Sequence, residues 1–353
     1  MIRWVLGLWL LLCCASVTAQ PRAPLVIFLN PGYSDEPFWS DYSRYMQDAA
    51  GDLGMELKVL YGERDPVRML ANARQVLDGE HPDYLIFTNE QFQGPVVLRL
   101  FENSAVKLFA LHSTLTDEQQ ALIGGGRERH RNWLGSLVPN DEEAGYLMGR
   151  DLIALTEGQP AELLAFSGVK QTPSSILRLA GLQRALNEAP QIKLMQAVHG
   201  EWQEQRAYEQ AVSLLPRYPG VSLVWSANDA MAFGVMRAAD ELGRDLRYAA
   251  LNNSTRVLQA HIDGRIDVLA SGHSILGACA MVMLSDHGRG LDFITRGGEN
   301  QVASLLRVVD KEQSEKLLKR LARPDIDLDF GQFSLLKHPE QSRYDCSIAS
   351  LLE

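Results

Sequence analysis

Cysteine is scarce in this chain, at four in 353 residues. Two of the four, Cys13 and Cys14, sit in the apolar N-terminal run, leaving Cys279 and Cys346 for the remainder. That spacing lacks the paired cysteines of a zinc site. Positive charge is also in deficit. Lys and Arg number 34 against 44 Asp and Glu, a formal net charge of -10. This is the wrong sign for a protein that grips nucleic acid by its phosphates. Beyond the N-terminus no apolar run approaches the roughly 20 residues that a membrane span needs. There is no internal repeat, no His-Glu-x-x-His, no nucleophile elbow and no phosphate loop. The absences together argue against an enzyme, and no metal or cofactor is expected.

The N-terminus carries a targeting pattern. Met1-Ile2-Arg3 supplies one positive charge, an apolar run follows from Trp4 to Val17, and Val17-Thr18-Ala19 ends it with small residues. Residues 1–19 therefore read as a signal peptide cut after Ala19. An uncleaved anchor is the alternative; Cys13 and Cys14 lack the small-residue pair that lipoprotein processing prefers. Export would place Cys279 and Cys346 in an oxidising compartment, where a bridge is allowed. Cys279 lies in an apolar stretch, 276–284, and reads first as a buried core thiol.

From Leu25 onward short apolar runs alternate with amphipathic ones. Residues 25–29, 57–61, 84–88 and 107–111 read as strands, separated by helices at about 39–53, 66–77 and 94–102. Residues 114–132, with Gly124-Gly125-Gly126 and several arginines, read as a mobile surface loop; no strand-to-helix context makes them a phosphate cradle. The alternation then restarts at 134–138, where Asn140 and Glu143 suggest a helix cap. It continues through strands at 163–167, 193–198, 222–226, 248–251 and 268–270. The pattern predicts α/β architecture: two Rossmann-like lobes with parallel sheets, whose strand ends face each other across a cleft.

Four blocks sharpen this. They are Asn30-Pro31-Gly32-Tyr33-Ser34-Asp35-Glu36-Pro37-Phe38-Trp39, Val138-Pro139-Asn140-Asp141-Glu142-Glu143-Ala144-Gly145, Arg178 with Gly181, and Val224-Trp225-Ser226-Ala227-Asn228-Asp229-Ala230-Met231-Ala232-Phe233-Gly234. In this order they resemble the type I periplasmic solute-binding proteins of the ribose and sugar-binding family. Asp83-Tyr84-Leu85-Ile86-Phe87-Thr88 and the helix end Asp240-Glu241-Leu242-Gly243-Arg244 add a local resemblance to the autoinducer-2-binding branch. The resemblance implies a three-strand hinge, crossed near Pro139, near Ser271 and around 298–303. Lobe 1 would hold 24–139 plus 272–298, and lobe 2 would hold 140–271 plus 299–353 with the C-terminal tail.

It also implies a pocket for a small polar, sugar-like ligand, made by Phe38, Trp39, Asn89, His112, Arg178, Trp202, Asn228, Asn252 and Ser271. Phe38 and Trp39 would form an aromatic wall. Arg178, as the single arginine, would offer a fixed fork of donors. Asp229 would serve as an alternative helix cap beside Asn228. Ribose-type relatives carry aspartate and arginine at the positions of His112 and Ser113, and aspartate at Asn252, so the pocket here reads as less charged. His112 suggests pH-sensitive binding. The implied partner is the membrane permease of an ABC importer, or alternatively a membrane sensor kinase or cyclase that reads the ligand state from the periplasm. The signal reading has a direct test: the exported protein should begin at Gln20 by N-terminal sequencing, and a product still starting at Met1 would refute it.

Overall fold

The computed structural model describes residues 22–323 and 328–345, together with 347 and 349. The signal segment 1–19 and Cys346 lie outside the described residues. The first half runs β1 (Leu25–Asn30), α1 (Pro37–Leu53), β2 (Glu56–Tyr61), α2 (Pro66–Asp78), β3 (Tyr84–Phe87), α3 (Gly94–Leu100), β4 (Lys107–Leu111), α4 (Asp117–Ile123) and β5 (Trp133–Pro139). The next stretch runs α5 (Asp141–Ala154), β6 (Ala161–Ser167), α6 (Pro173–Glu188), β7 (Ile192–His199), α7 (Glu204–Arg217) and β8 (Val221–Ser226). It continues with α8 (Asp229–Glu241), β9 (Arg247–Leu251), α9 (Thr255–Ile262) and β10 (Val268–Ser271). Last come α10 (Ile275–Gly288), β11 (Asn300–Ala303), β12 (Arg307–Val309) and α11 (Lys311–Leu321).

The strands form two six-stranded sheets, ordered β11-β5-β4-β3-β1-β2 and β12-β10-β9-β8-β6-β7. Every pairing is parallel except that of β12 with β10. Helices cover both faces, which is why strands such as Leu25-Val26-Ile27-Phe28-Leu29 are continuously apolar rather than alternating. In each sheet the strand order reverses beside the first strand of the lobe, β1 or β6. Open α/β sheets bind ligands beyond the carboxyl ends of the strands at such a switch point. The two-lobed α/β fold read from the sequence is the fold observed.

Helix α5 follows the first crossing and packs closely on α6. A Cβ on Gly145 would lie 2.1 Å from the Arg178 carbonyl oxygen, and one on Gly181 would lie 2.0 Å from that of Glu142. Only glycine permits this approach, which brings Arg178 beside the start of α5. Asn140 makes no side-chain cap to α5. Its amide instead exchanges two hydrogen bonds with the Leu306 backbone, at 2.9 and 3.0 Å, and so stitches together two of the chain crossings.

Three expectations are corrected. Residues 114–132 are not a loose loop: they contain α4, whose first turn is closed by a capping box between Thr116 and Gln119. Arg127 then pins the segment through paired hydrogen bonds to Asp292. Second, 299–353 do not all join the second lobe. β11 completes the first sheet, β12 and α11 belong to the second lobe, and residues 328–345 return to the first. The chain thus passes between the lobes a fourth time, a passage that a three-crossing hinge does not foresee. Third, Cys279 is disulfide-bonded rather than a free core thiol.

The tail docks because α10 is apolar on nearly every side and needs cover. Phe330 is buried against Tyr45, and its backbone N–H donates to the Asp52 carboxylate. Asp286, fully buried in α10, accepts from the Ser334 hydroxyl, the Leu335 N–H and the Tyr344 hydroxyl at 2.5, 2.8 and 3.1 Å. Asp286→Ala strands these three donors in the interior. A loss of about 2–4 kcal/mol of unfolding free energy is expected in urea denaturation, with faster proteolysis of the tail. A change under about 0.5 kcal/mol would contradict this account of docking.

Candidate functional site

Between the lobes lies a cleft of about 910 Å³. Its floor is aromatic. Phe38 stacks on His273 with ring centroids 4.5 Å apart and meets Trp39 edge-on at 4.7 Å. His112 lies 5.2 Å from Trp39 and 6.0 Å from His273. Trp39 folds back over Gly32, where a Cβ would fall 1.9 Å from the indole, so the Pro-Gly turn after β1 is what lets this ring lie flat. His112 and Trp202 both adopt left-handed backbone, with φ of 68° and 65°. Such strain in a non-glycine residue is concentrated at functional sites. Trp39 Nε1, Tyr42 Oη, His112 Nδ1 and His273 Nδ1 are buried without a hydrogen-bond partner in the protein.

The arginines lining the cleft are committed. Arg178 donates from Nε to Asp141 at 2.7 Å and from an Nη to the Ala227 carbonyl at 2.8 Å, all buried. Arg64 bonds Glu36 and lies 4.0 Å from Glu90. Arg256 pairs with Glu204 and lies 3.7 Å over the Phe233 ring. Asp229 accepts from the Asn252 amide, the Ser254 hydroxyl and the Ala230 N–H. Burial pushes the carboxyls of Glu90, Asp141 and Asp229 above their ordinary range. Among the described residues, no guanidinium lining the cleft is left without an acidic partner. The lobes also touch directly: the Thr172 hydroxyl, beyond β6, donates to Glu90, beyond β3, at 2.8 Å. The cleft is therefore closed along this edge.

In sequence and fold the chain is similar to known proteins. A periplasmic binding protein domain model matches residues 134–290. The solved structure of a periplasmic sugar-binding protein from Pseudomonas fluorescens superposes with a TM-score of 0.86 at 45% identity, over 93% of this chain and 99% of that one. The chain belongs to the periplasmic binding protein family. Further from this binding protein, the ribose import binding protein of Salmonella typhimurium is 22% identical over 253 residues, 71% of this chain and 80% of the relative. A D-allose-bound solute-binding protein from Actinobacillus succinogenes shares the fold, with a TM-score of 0.72 at 16% identity over 83% of this chain and 99% of that one. These matches do not extend the local resemblance to the autoinducer-2 branch.

Of the residues expected in the pocket of this binding protein, Phe38, Trp39, His112, Arg178, Trp202, Asn228 and Asn252 line the cleft. Asn89 and Ser271 are not among its lining residues. Asn89 is buried and already bonded, donating to the Thr114 carbonyl and the Gln119 side-chain oxygen and accepting from the Gly94 N–H. The expected roles of Asn228 and Asp229 are exchanged. Asn228 caps α8 by accepting from the Met231 N–H and donates to the Trp202 carbonyl, while Asp229 forms the buried acceptor centre with Asn252. Arg178 is not the single arginine, since Arg64 and Arg256 also line the cleft. His273, Glu90 and Thr172 escaped the sequence reading, and Phe233, inside the 224–234 block, was not expected to line the pocket. His273 had a signal, lying two residues past Ser271 on a predicted crossing.

Both floor imidazoles are held neutral. Burial, with Arg178 and Arg64 nearby, pushes His112 down to about 3, and burial with Arg178 and His112 pushes His273 well below the usual range. Protonation therefore opposes the closed form. Ligand affinity should be full above the ordinary imidazole value of about 6.5 and fall as pH drops below it. Calorimetric titration from pH 7.5 to 5.5 should show weakening that His112→Gln and His273→Gln each reduce; a flat wild-type profile would count against it.

Proposed function

We propose that this chain captures a small uncharged sugar by closing its lobes, and passes it to the membrane permease of an ABC importer. The observation that carries the reading is the electrostatic state of the cleft. Every lining guanidinium is paired internally, and the buried Asp229 already accepts from three donors. What remains is the aromatic surface of Phe38 and Trp39 and the neutral imidazoles of His112 and His273. Flat rings suit the C–H faces of a sugar, and neutral imidazoles both give to and accept from hydroxyls. The relatives, a sugar-binding protein and a ribose import binding protein, point the same way. So does the D-allose held by a protein of the same fold.

We place the protein in the periplasm, after removal of residues 1–19. We read it as a binder rather than an enzyme. Its lining arginines are held in fixed ion pairs and its buried Asp229 by three neutral donors, rather than one of them being aimed at a reacting atom.

A thermal-shift panel tests this. At least one neutral sugar or polyol should raise the melting temperature by several degrees, since a ligand at about 100 times its Kd adds roughly 2.7 kcal/mol. Sugar acids, sugar phosphates and amines should give no shift. Trp39→Ala should weaken binding of the best hit at least about tenfold, in line with loss of an aromatic anchor. A response confined to charged solutes would overturn the reading.

A further inference from the structure

The cleft is larger than one sugar ring requires, and its outer end is built. Its volume of about 910 Å³ lies near the top of the range for pockets that enclose drug-sized ligands. A gaping hinge does not explain this, because Thr172 and Glu90 already bond across the lobes at 2.8 Å. Burial divides the lining in two. Trp39, His112, Arg178 and His273 are all less than a tenth exposed, whereas the Arg256 side chain is 58% exposed. The buried group makes the floor already described. The exposed group marks the mouth, where Gln205, Thr255 and Arg256 of the second lobe join Ser40 and Asp41 of α1 in lining one continuous space.

The mouth carries a prepared surface. The Arg256 guanidinium lies 3.7 Å over the Phe233 ring, and two of its nitrogens bond the two oxygens of Glu204, at 2.5 and 3.2 Å. Stacking and the fork to Glu204 fix its plane before any ligand arrives, so little side-chain entropy is left to lose on binding. Its charge is balanced, and its remaining N–H groups are donors for hydroxyls. A planar, neutralised donor group lining a cleft suits a second polar ring rather than an anion.

We propose that the cleft holds two subsites, and that the ligand is an uncharged glycoside of two ring units, one on the Trp39–His112–His273 floor and the other against the Arg256–Phe233 platform. This rests on the sugar-binding reading above and specifies the size class of its ligand. The outer unit supplies affinity by stacking and by hydroxyl contacts to Arg256. The inner unit fixes orientation between Trp39 and the neutral imidazoles of His112 and His273.

Isothermal titration of the mature protein with glucose, galactose, ribose, maltose, cellobiose, lactose, sucrose and galacturonate separates the outcomes. At least one neutral disaccharide should bind about tenfold or more tightly than its component monosaccharides. Arg256→Gln, at an exposed position where folding is secure, should collapse that ratio toward one, and Phe233→Leu should do the same. A monosaccharide binding as tightly as every disaccharide containing it would overturn the two-subsite proposal and leave the sugar-binding reading intact. So would an Arg256→Gln variant with an unchanged ratio. Failure of every neutral sugar, with galacturonate alone binding, would overturn both.

Discussion

The buried ion pair between Asp141 and Arg178 is the interaction on which the cleft depends. Asp141 opens α5 directly after the chain first crosses between lobes, and Arg178 reaches it from α6 while also holding the Ala227 carbonyl at the end of β8. One side chain thus sets the spacing of three elements that wall the second lobe's half of the site. Such a pair adds little net stability over an apolar replacement, but losing one partner leaves a buried charge and costs about 3–5 kcal/mol. Its value here is geometric. It also spends the arginine's charge, as the Arg64 and Arg256 pairings spend theirs.

The same principle governs the floor. Phe38, Trp39, His112 and His273 come from three separate segments, and their rings pack edge-to-face and stacked into one surface. Enclosure makes these imidazoles neutral, and neutrality makes each one both a donor and an acceptor. Removing water therefore changes what the residues recognise as well as how strongly they do so.

Much of this was legible in the sequence, and the limits have a physical cause. Strand and helix periodicity located both sheets, and the motif at 30–39 located the aromatic wall, because local pattern determines these features. Periodicity does not fix which of two neighbouring polar residues turns inward at a strand end. Hence Asn228 and Asp229 exchanged roles, and Asn89 proved to be a backbone staple. Glu90, Thr172 and His273 stand on irregular turns whose paths are set by contacts distant in sequence, such as Thr172 meeting Glu90 across the cleft. The charge balance of the cleft was likewise hidden. Composition counts charges but does not say which ones meet.

The returning tail has a consequence for how the molecule is assembled. Strands β6 to β10 come from one unbroken stretch, so all but the edge strand of the second sheet is present once residue 271 has emerged. The first sheet begins at β1 but waits for β11, and its helix α10 waits for Phe330, Ser334 and Tyr344 to cover it. Contacts between nearby segments form faster than those that close long loops. The lobe made first is thus the one finished last. It stays incomplete until residues 330–344 are available to cover α10, so the half of the cleft that this lobe carries is the last to gain its support.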